Sequence, residues 1–491
     1  MASPISAQQM AKPAQTGLHG HARRAWRWLL FLALLLLPCF WQERIQAGDL
    51  SSHLYNSWLA LQIRSGAIHG LWIAPQWTNV AFDWLLTWLL AALGVGPAQR
   101  IAVSLAVLTF AAGALAFLFA SSRRRPWFLA PAVAVLAYGF VFHIGFFNFY
   151  LSLGICFWFL AAFWNGSTVR RVATAPLLAL AWLAHPLPVL WVVGAAVYLV
   201  IARRLSEKRR PLLLALAVAA LLAIRLFLFG RYHAVWSPFQ VFGVTGADQA
   251  LVYGLKYLMV MIGLLLLWLA WLRRLLKDSD GRVALRMRMQ LLALTAAGIV
   301  IIPSRIDMPL HYGHGLVYVA DRMSLVAGVM LCAVLSEARV RRAEVVAMAA
   351  LCAVFFAFLY ADGLWANKME DQVRTLVEQK VPPHARVVFF SPPATNFRLT
   401  RLAHVMDRVC VDRCFSYGNY EPATREFRVR AAAGNGIVVT TYDEAYQLET
   451  GNFVVRPSDL PLYQVEICGP AGQHVCLREL NAGERNGGAH R

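Results

Sequence analysis

Long apolar runs, separated by short polar and basic stretches, fill the first three quarters of the chain. Runs near 26–42, 98–120, 126–143, 148–166, 172–185, 187–203, 211–229, 251–273, 290–303, 321–337 and 343–362 approach the roughly 20 residues that a helix needs to cross a bilayer. They predict an all-α polytopic membrane domain of about eleven transmembrane helices over residues 26–362. The run 82–93, "FDWLLTWLLAAL", is too short to cross and suits a helix lying at the interface. Residues 42–97 then form one long outer loop behind the first span.

After residue 361 the pattern changes. Charges return and prolines punctuate the chain. Residues 369–380 read as a helix, and "RVVFF" (386–390), "GIVVTTY" (436–442), "FVVR" (453–456) and "YQVEI" (463–467) read as strands. This predicts a small C-terminal α/β extracytoplasmic domain over 363–491, preceded at the other end of the chain by a cytoplasmic tail over 1–25.

Composition agrees with the hydropathy pattern: 59% of the 491 residues are hydrophobic and 15% charged, too apolar for a soluble protein of this length. The net charge of +20 would suit nucleic acid, but its placement speaks for topology. Basic residues cluster at every second loop: Arg123, Arg124 and Arg125, Arg170 and Arg171, the stretches 203–210 and 273–289, and Arg339, Arg341 and Arg342. That periodicity is the positive-inside bias, so a nucleic-acid partner is not expected. The N-terminus falls inside and the C-terminus outside, at a bacterial-type inner membrane. The first run follows Arg23, Arg24 and Arg27 like a signal peptide, yet no small-residue cleavage site follows it, so it reads as a retained span.

Of eight cysteines, Cys39, Cys156, Cys332 and Cys352 fall in spans. Cys410, Cys414, Cys468 and Cys476 fall in the C-terminal domain, where disulfides are expected, with Cys410–Cys414 and Cys468–Cys476 as the expected pairing. A zinc site is the rival, with spacings that suit a zinc ribbon poorly.

Ionisable groups at a membrane face are costly unless they pair or work, which draws attention to "QAGDLSSHLYNSWLALQIRSG" (46–66). Asp49 follows directly on the first span, and His53 lies one helical turn on, on the same face. Asp49 equally suits a helix N-cap, and His53 a hydrogen-bonded interfacial histidine. On the outer side the candidate cations are Arg231, His233, Lys256, Arg305, His311, His314 and Arg322, densest in "SRIDMPLHYGHGLVYVADRM" (304–323). Arg322, beside Asp321, would otherwise anchor a span end, and Lys256 would snorkel. His311 and His314 keep a divalent metal open as a cofactor; none other is implied. His143 stands in an aromatic belt, "FVFHIGFFNFYLSLG", which anchors an interface or lines an isoprenoid groove. His185 reads as a turn residue, with a site role as the alternative, and Arg225 falls within a span.

The N-inside first span, the outer loop with its early acidic residue, and the segment "FDWLLTWLLAALGVGPAQRIAVSLAVLTFAAGALAFLFASSRRR" resemble the type C (GT-C) membrane glycosyltransferases of the protein mannosyltransferase and aminoarabinose transferase kind. Gly94 to Pro97 match the family's break and Arg100 its arginine. The resemblance implies a sugar donor on a polyprenyl phosphate or pyrophosphate, and a lipid, glycan or protein acceptor at the outer face. Asp49 would be the general base, and Arg305 and Arg322 the phosphate partners. His53, Asp83, His143, Lys256, His311 and His314 complete the substrate-binding set. Where the family carries an acidic pair, "GDLSSH" offers one carboxylate, and Glu43 or Asp83 would have to supply another. The competing readings are a multi-pass transporter, a polysaccharide polymerase or ligase, and a non-catalytic scaffold with a partner-binding outer domain. The gathering of polar groups at the outer edge rather than at mid-membrane favours surface chemistry.

Overall fold

The computed structural model describes the backbone of residues 16–277, 279–307, 315–391, 398–424, 426–468 and 474–487, with side chains from residue 26 onward except 279–286. His311 and His314 lie outside the described residues.

The structure is mostly helical. After α1 (Thr16–Leu36) come α2 (Leu50–Arg64), α3 (Ala81–Leu93) and α4 (Val95–Ser121), then α5 (Ala130–Ala137), α6 (Phe140–Ile144) and α7 (Phe147–Trp164). Helices α8 (Thr168–Ala173), α9 (Ala175–Ala184), α10 (Pro186–Arg204), α11 (Arg210–Arg231), α12 (Leu258–Lys277), α13 (Ser279–Ile301), α14 (Val319–Leu335) and α15 (Arg342–Lys380) complete the bundle. Short helices α16 (Val405–Val409), α17 (Tyr420–Ala423) and α18 (Tyr442–Thr450) follow.

Among the described residues, seven helical segments are long and apolar enough to cross a membrane: Val95–Ser121, Trp127–Ile144, Phe147–Trp164, Pro186–Arg204, Glu207–Arg231, Leu255–Lys277 and Arg342–Lys380. Of the other four expected spans, two lie on α1 and α13, where the apolar helix among the residues with described side chains covers Trp26–Cys39 and Met287–Ile301; the remaining two are shorter, α9 with 10 residues and α14 with 17. The run 82–93 is the 13-residue α3. Helices α4 and α7 form the tightest pair, because a Cβ on Gly113 would come within 2.5 Å of the Gly154 carbonyl; small residues of this kind let membrane helices approach closely. No side chain of helix α11 is fully buried.

Three sheets form among the described residues. β1 (Leu71–Ile73) pairs antiparallel with β7 (Val429–Ala431). β2 (His233–Val235), β3 (Arg305–Asp307) and β4 (Gly315–Leu316) form a small antiparallel sheet. The largest, ordered β6-β5-β8-β9, contains β5 (Arg386–Phe390), β6 (Phe415–Ser416), β8 (Leu462–Cys468) and β9 (His474–Glu479). β5 runs parallel to β6 and β8, and β9 antiparallel to β8. Cys410 is disulfide-bonded to Cys414 and Cys468 to Cys476.

Two expected strands are absent. Over 436–442, the Asn435 side chain accepts from the backbone N–H of Ile437 and Val438 at 3.0 and 2.9 Å, and Thr441 and Glu444 form a capping box that starts α18. Polar side chains thereby take the donors that a strand would need. Over 453–456 only Val454 makes a bridge, to Arg485. The expected boundary at 362/363 falls inside α15, whose 39 residues span about 58 Å at the helical rise. One rigid element thus joins the bundle to the C-terminal sheet.

Helix α2, within the expected outer loop, lies deep in the fold. All residues from Leu50 to Ala60 are buried, five of them polar. The C-terminal segment covers this helix and supplies the partners that buried polar groups require. Asn56 and Asn419 exchange amide hydrogen bonds at 3.3 and 3.0 Å. Ser52 donates to Glu421 at 3.0 Å, and Trp58 Nε1 to Asp412 at 2.6 Å. The first loop and the C-terminal segment therefore fold as one body.

Candidate active site

Where these two regions meet the helical bundle, a cavity of about 590 Å³ opens. Helix beginnings converge on it: Gly48 and Asp49 before α2, Phe146 before α7, His185 before α10 and Tyr318 before α14 all line the wall. Helix N-termini carry partial positive charge and favour anions.

Asp49 enters the site through its backbone. Its N–H donates to the Ile144 carbonyl at 3.0 Å, and that of Gly48 to the His143 carbonyl at 2.8 Å. Gly145, with φ +96°, packs so close that a Cβ there would lie 2.4 Å from the Asp49 nitrogen, so only glycine fits that turn. Asp49 occupies the N-cap position of α2, yet its side chain makes no capping hydrogen bond. Its Oδ1 instead lies 3.4 Å from His404 Nε2.

His404 precedes α16 with φ +55°, a conformation few non-glycine residues adopt and one that gathers at functional sites. Its Nδ1 is 3.6 Å from Asp407 Oδ2, giving a chain of acid, imidazole and acid. Burial disfavours the imidazolium. The hydrogen bond and charge of Asp49, with the charges of Asp407 and Glu449, outweigh burial and raise His404 to about 9. Asp407 is itself pushed above the usual carboxylate range by burial.

On another wall, Arg322 lies in the first turn of α14 and is 8% exposed. Its guanidinium sits 3.8 Å from the Phe146 ring centroid, and its Nη1 is 3.1 Å from His185 Nε2. Its Nε is buried without a hydrogen-bond partner. Asp49 and Arg322 line the same cavity. His143 also lines the cavity. Its Nδ1 lies 3.1 Å from the Gln46 carbonyl and 3.2 Å from the Tyr253 hydroxyl, and its buried Nε2 has no partner.

His53 borders the cavity, and Asp83 lies behind it. His53 Nδ1 is 2.7 Å from Asp83 Oδ1 and 4.0 Å from Glu421, while Asp83 Oδ2 accepts from Asn148 at 2.7 Å. Burial opposes both charges, but each favours the other: with further help from Glu421 and Asp49, His53 rises to about 9, and His53, Arg428 and Asn148 hold Asp83 low. Burial raises Glu421 to about 7. The sequence expectation of His53 and Asp83 as substrate contacts is thus corrected for Asp83, which supports the wall through His53.

Two expected cations stand elsewhere. Arg305 lies on β3, more than half exposed and paired with Asp307 at 2.7 Å, and does not line the cavity. Its neighbours do reach the wall: Gly315 and Leu316 of the adjoining strand β4 line the cavity, as does Tyr442, which is close enough to feel its charge. Lys256 is drawn to α15 by Asp362 at 2.8 Å and also stays out. Among the described residues no group of three or more His, Cys, Asp or Glu is arranged to hold a metal ion.

The C-terminal segment adds residues that sequence reading did not single out: His404, Arg398, Tyr420, Glu426 and the cavity face of α18. Arg398 ties this segment to the bundle, bonding Asp321 at 2.7 Å and stacking 3.8 Å from the Phe140 centroid. Nothing local in "RLAHVMDRVC" distinguishes His404 from a packed histidine; only the fold brings it to Asp49. No protein-family model, curated protein or solved structure matches this chain, so function is argued from the geometry of the site.

Proposed function

We propose that the chain is a membrane glycosyltransferase that moves a sugar from a polyprenyl-phosphate-linked donor to an acceptor at the outer face of the membrane. The observation that carries this reading is the placing of Asp49 and Arg322 on the walls of one cavity. Asp49 takes the acceptor hydroxyl proton as that oxygen attacks the anomeric carbon, and the phosphate leaves as an anion, needing no proton. A carboxylate held beside the reacting hydroxyl serves as base, and Arg322, with the converging helix N-termini, stabilises the phosphate charge as it develops. Protonated His404 fixes the orientation of the Asp49 carboxylate. Arg305, first expected to share the phosphate, has no part in this arrangement.

The ends of the helices support this sidedness. The cavity lies at the N-terminal ends of α7, α10 and α14. The basic residues sit at opposite ends: Arg203 and Arg204 close α10, Arg274 and Lys277 close α12, and Arg341 precedes α15. With the basic ends inside, the cavity opens outward. In the full topology proposed, α1, α9, α13 and α14 join the seven long segments to give eleven crossings, α2 and α3 remain at the outer face, and the C-terminal sheet stands outside.

Mass spectrometry of lipid that co-purifies with the protein tests the donor class. An isoprenoid phosphate or its sugar conjugate is expected, and its enrichment should fall in Arg322→Ala. Bulk phospholipid alone in both proteins would count against the reading.

A further inference from the structure

One wall of the cavity remains without a role in the chemistry at Asp49. Helix α18 turns Tyr442, Tyr446 and Glu449 toward it, at the i, i+4 and i+7 spacing that places them on one face. Tyr318 lines the same cavity before α14. These three tyrosines are not packed into the core: Tyr318 is 45% exposed, Tyr442 44% and Tyr446 53%. They also lie close together, since Tyr318 feels the charges of Asp49, Tyr442 and Glu449, and His404 feels those of Asp49 and Glu449. Partly exposed aromatic rings beside a carboxylate thus stand in the cavity that holds Asp49, two of them on a helix that the C-terminal segment supplies.

We infer that the α18 face, with Tyr318, is a saccharide subsite that holds the acceptor sugar against Asp49. This rests on the glycosyl-transfer reading and names the class of its acceptor. A pyranose presents C–H faces, which lie on aromatic rings, and hydroxyl edges, which donate to carboxylates such as Glu449. An apolar lipid tail would leave Glu449 facing hydrocarbon, at a cost. An ammonium ligand would meet the cationic Arg322, Arg398 and His404 in the same cavity. A neutral sugar satisfies the rings and the carboxylate together.

The test uses the full-length protein in lipid nanodiscs on an array of neutral oligosaccharides. Wild type is expected to bind a subset of these glycans. The paired exchange Tyr442→Ala with Tyr446→Ala should weaken binding about tenfold or more, the weight of an interface hot spot, whereas Tyr442→Phe with Tyr446→Phe keeps the rings and should bind nearly as wild type. Asp49→Asn should lose transfer, whereas the phenylalanine pair should keep both binding and transfer, which separates the base from the platform. Binding that wild type and the phenylalanine pair show and the alanine pair loses supports the subsite even if no transfer is found in any form of the protein. No glycan bound by wild type, or equal binding by the alanine pair, would overturn it.

Discussion

His404 Nε2 lies 3.4 Å from Asp49 Oδ1, although the two residues come from the first outer loop and the C-terminal segment. The contact makes the site composite: the loop brings the carboxylate, and the distant segment brings the group that orients it. His404→Phe should leave the protein folded and inserted but lower turnover by up to about a hundredfold, as a small misplacement of a reacting group does. His404→Gln, which can still donate a hydrogen bond, should recover part of the loss. Release of polyprenyl phosphate from a polyprenyl-phosphate sugar is the measurement; equal activity in all three proteins would remove the orienting role.

The ionised histidines set a pH window. His404 and His53 both rise from 6.5 to about 9 in the fold. A folded-state value above the unfolded one means that their stabilisation is complete below pH 6.5 and is lost as pH climbs through about 9. The melting temperature should therefore fall across that interval, and less steeply in His404→Gln. A flat profile from 6.5 to 9 would show that neither imidazolium is held by its carboxylates.

Arg322 and Arg305 separate cavity from surface. Arg322→Ala should raise the donor KM about 10- to 100-fold, in line with the loss of charge-assisted hydrogen bonds of ~1.5–3 kcal/mol. Arg305→Ala should remain near wild type, because Arg305 is paired on the surface with Asp307. Donor kinetics on the two variants decide the matter, and a larger defect in Arg305→Ala would reverse the assignment.

Behind the cavity, Asp83→Asn leaves the buried His53 without its 2.7 Å partner. Breaking a buried ion pair by removing one member typically costs ~3–5 kcal/mol, so this variant should unfold at markedly lower temperature or denaturant. Thermal unfolding in detergent is the readout. Stability equal to wild type would show that His53 is neutral in the fold.

How much of this was legible in the sequence depends on the range of the interactions involved. Hydropathy is local, so the positions of the apolar helices and the shortness of α3 could be read directly. Asp49 could be found because it stands where the first apolar run ends, and His143 and Arg322 because ionisable groups near span ends are few. The burial of α2 could not be read: Ser52, His53 and Asn56 look solvated until Glu421, Asp83 and Asn419 arrive from distant segments to satisfy them. Arg305 itself could not be told from Arg322 by charge density, since its pairing with Asp307 two residues away shows only in the fold. His404 carries no signal of its own, because its role exists only through Asp49.

Sugar transfer by Asp49→Asn tests the central claim most directly. The exchange keeps the size of the side chain while removing its capacity to take a proton. Purified in nanodiscs beside wild type, with a polyprenyl-phosphate sugar as donor, the variant should be folded and bind donor yet release no polyprenyl phosphate above background. Release at a rate near that of wild type would contradict the account.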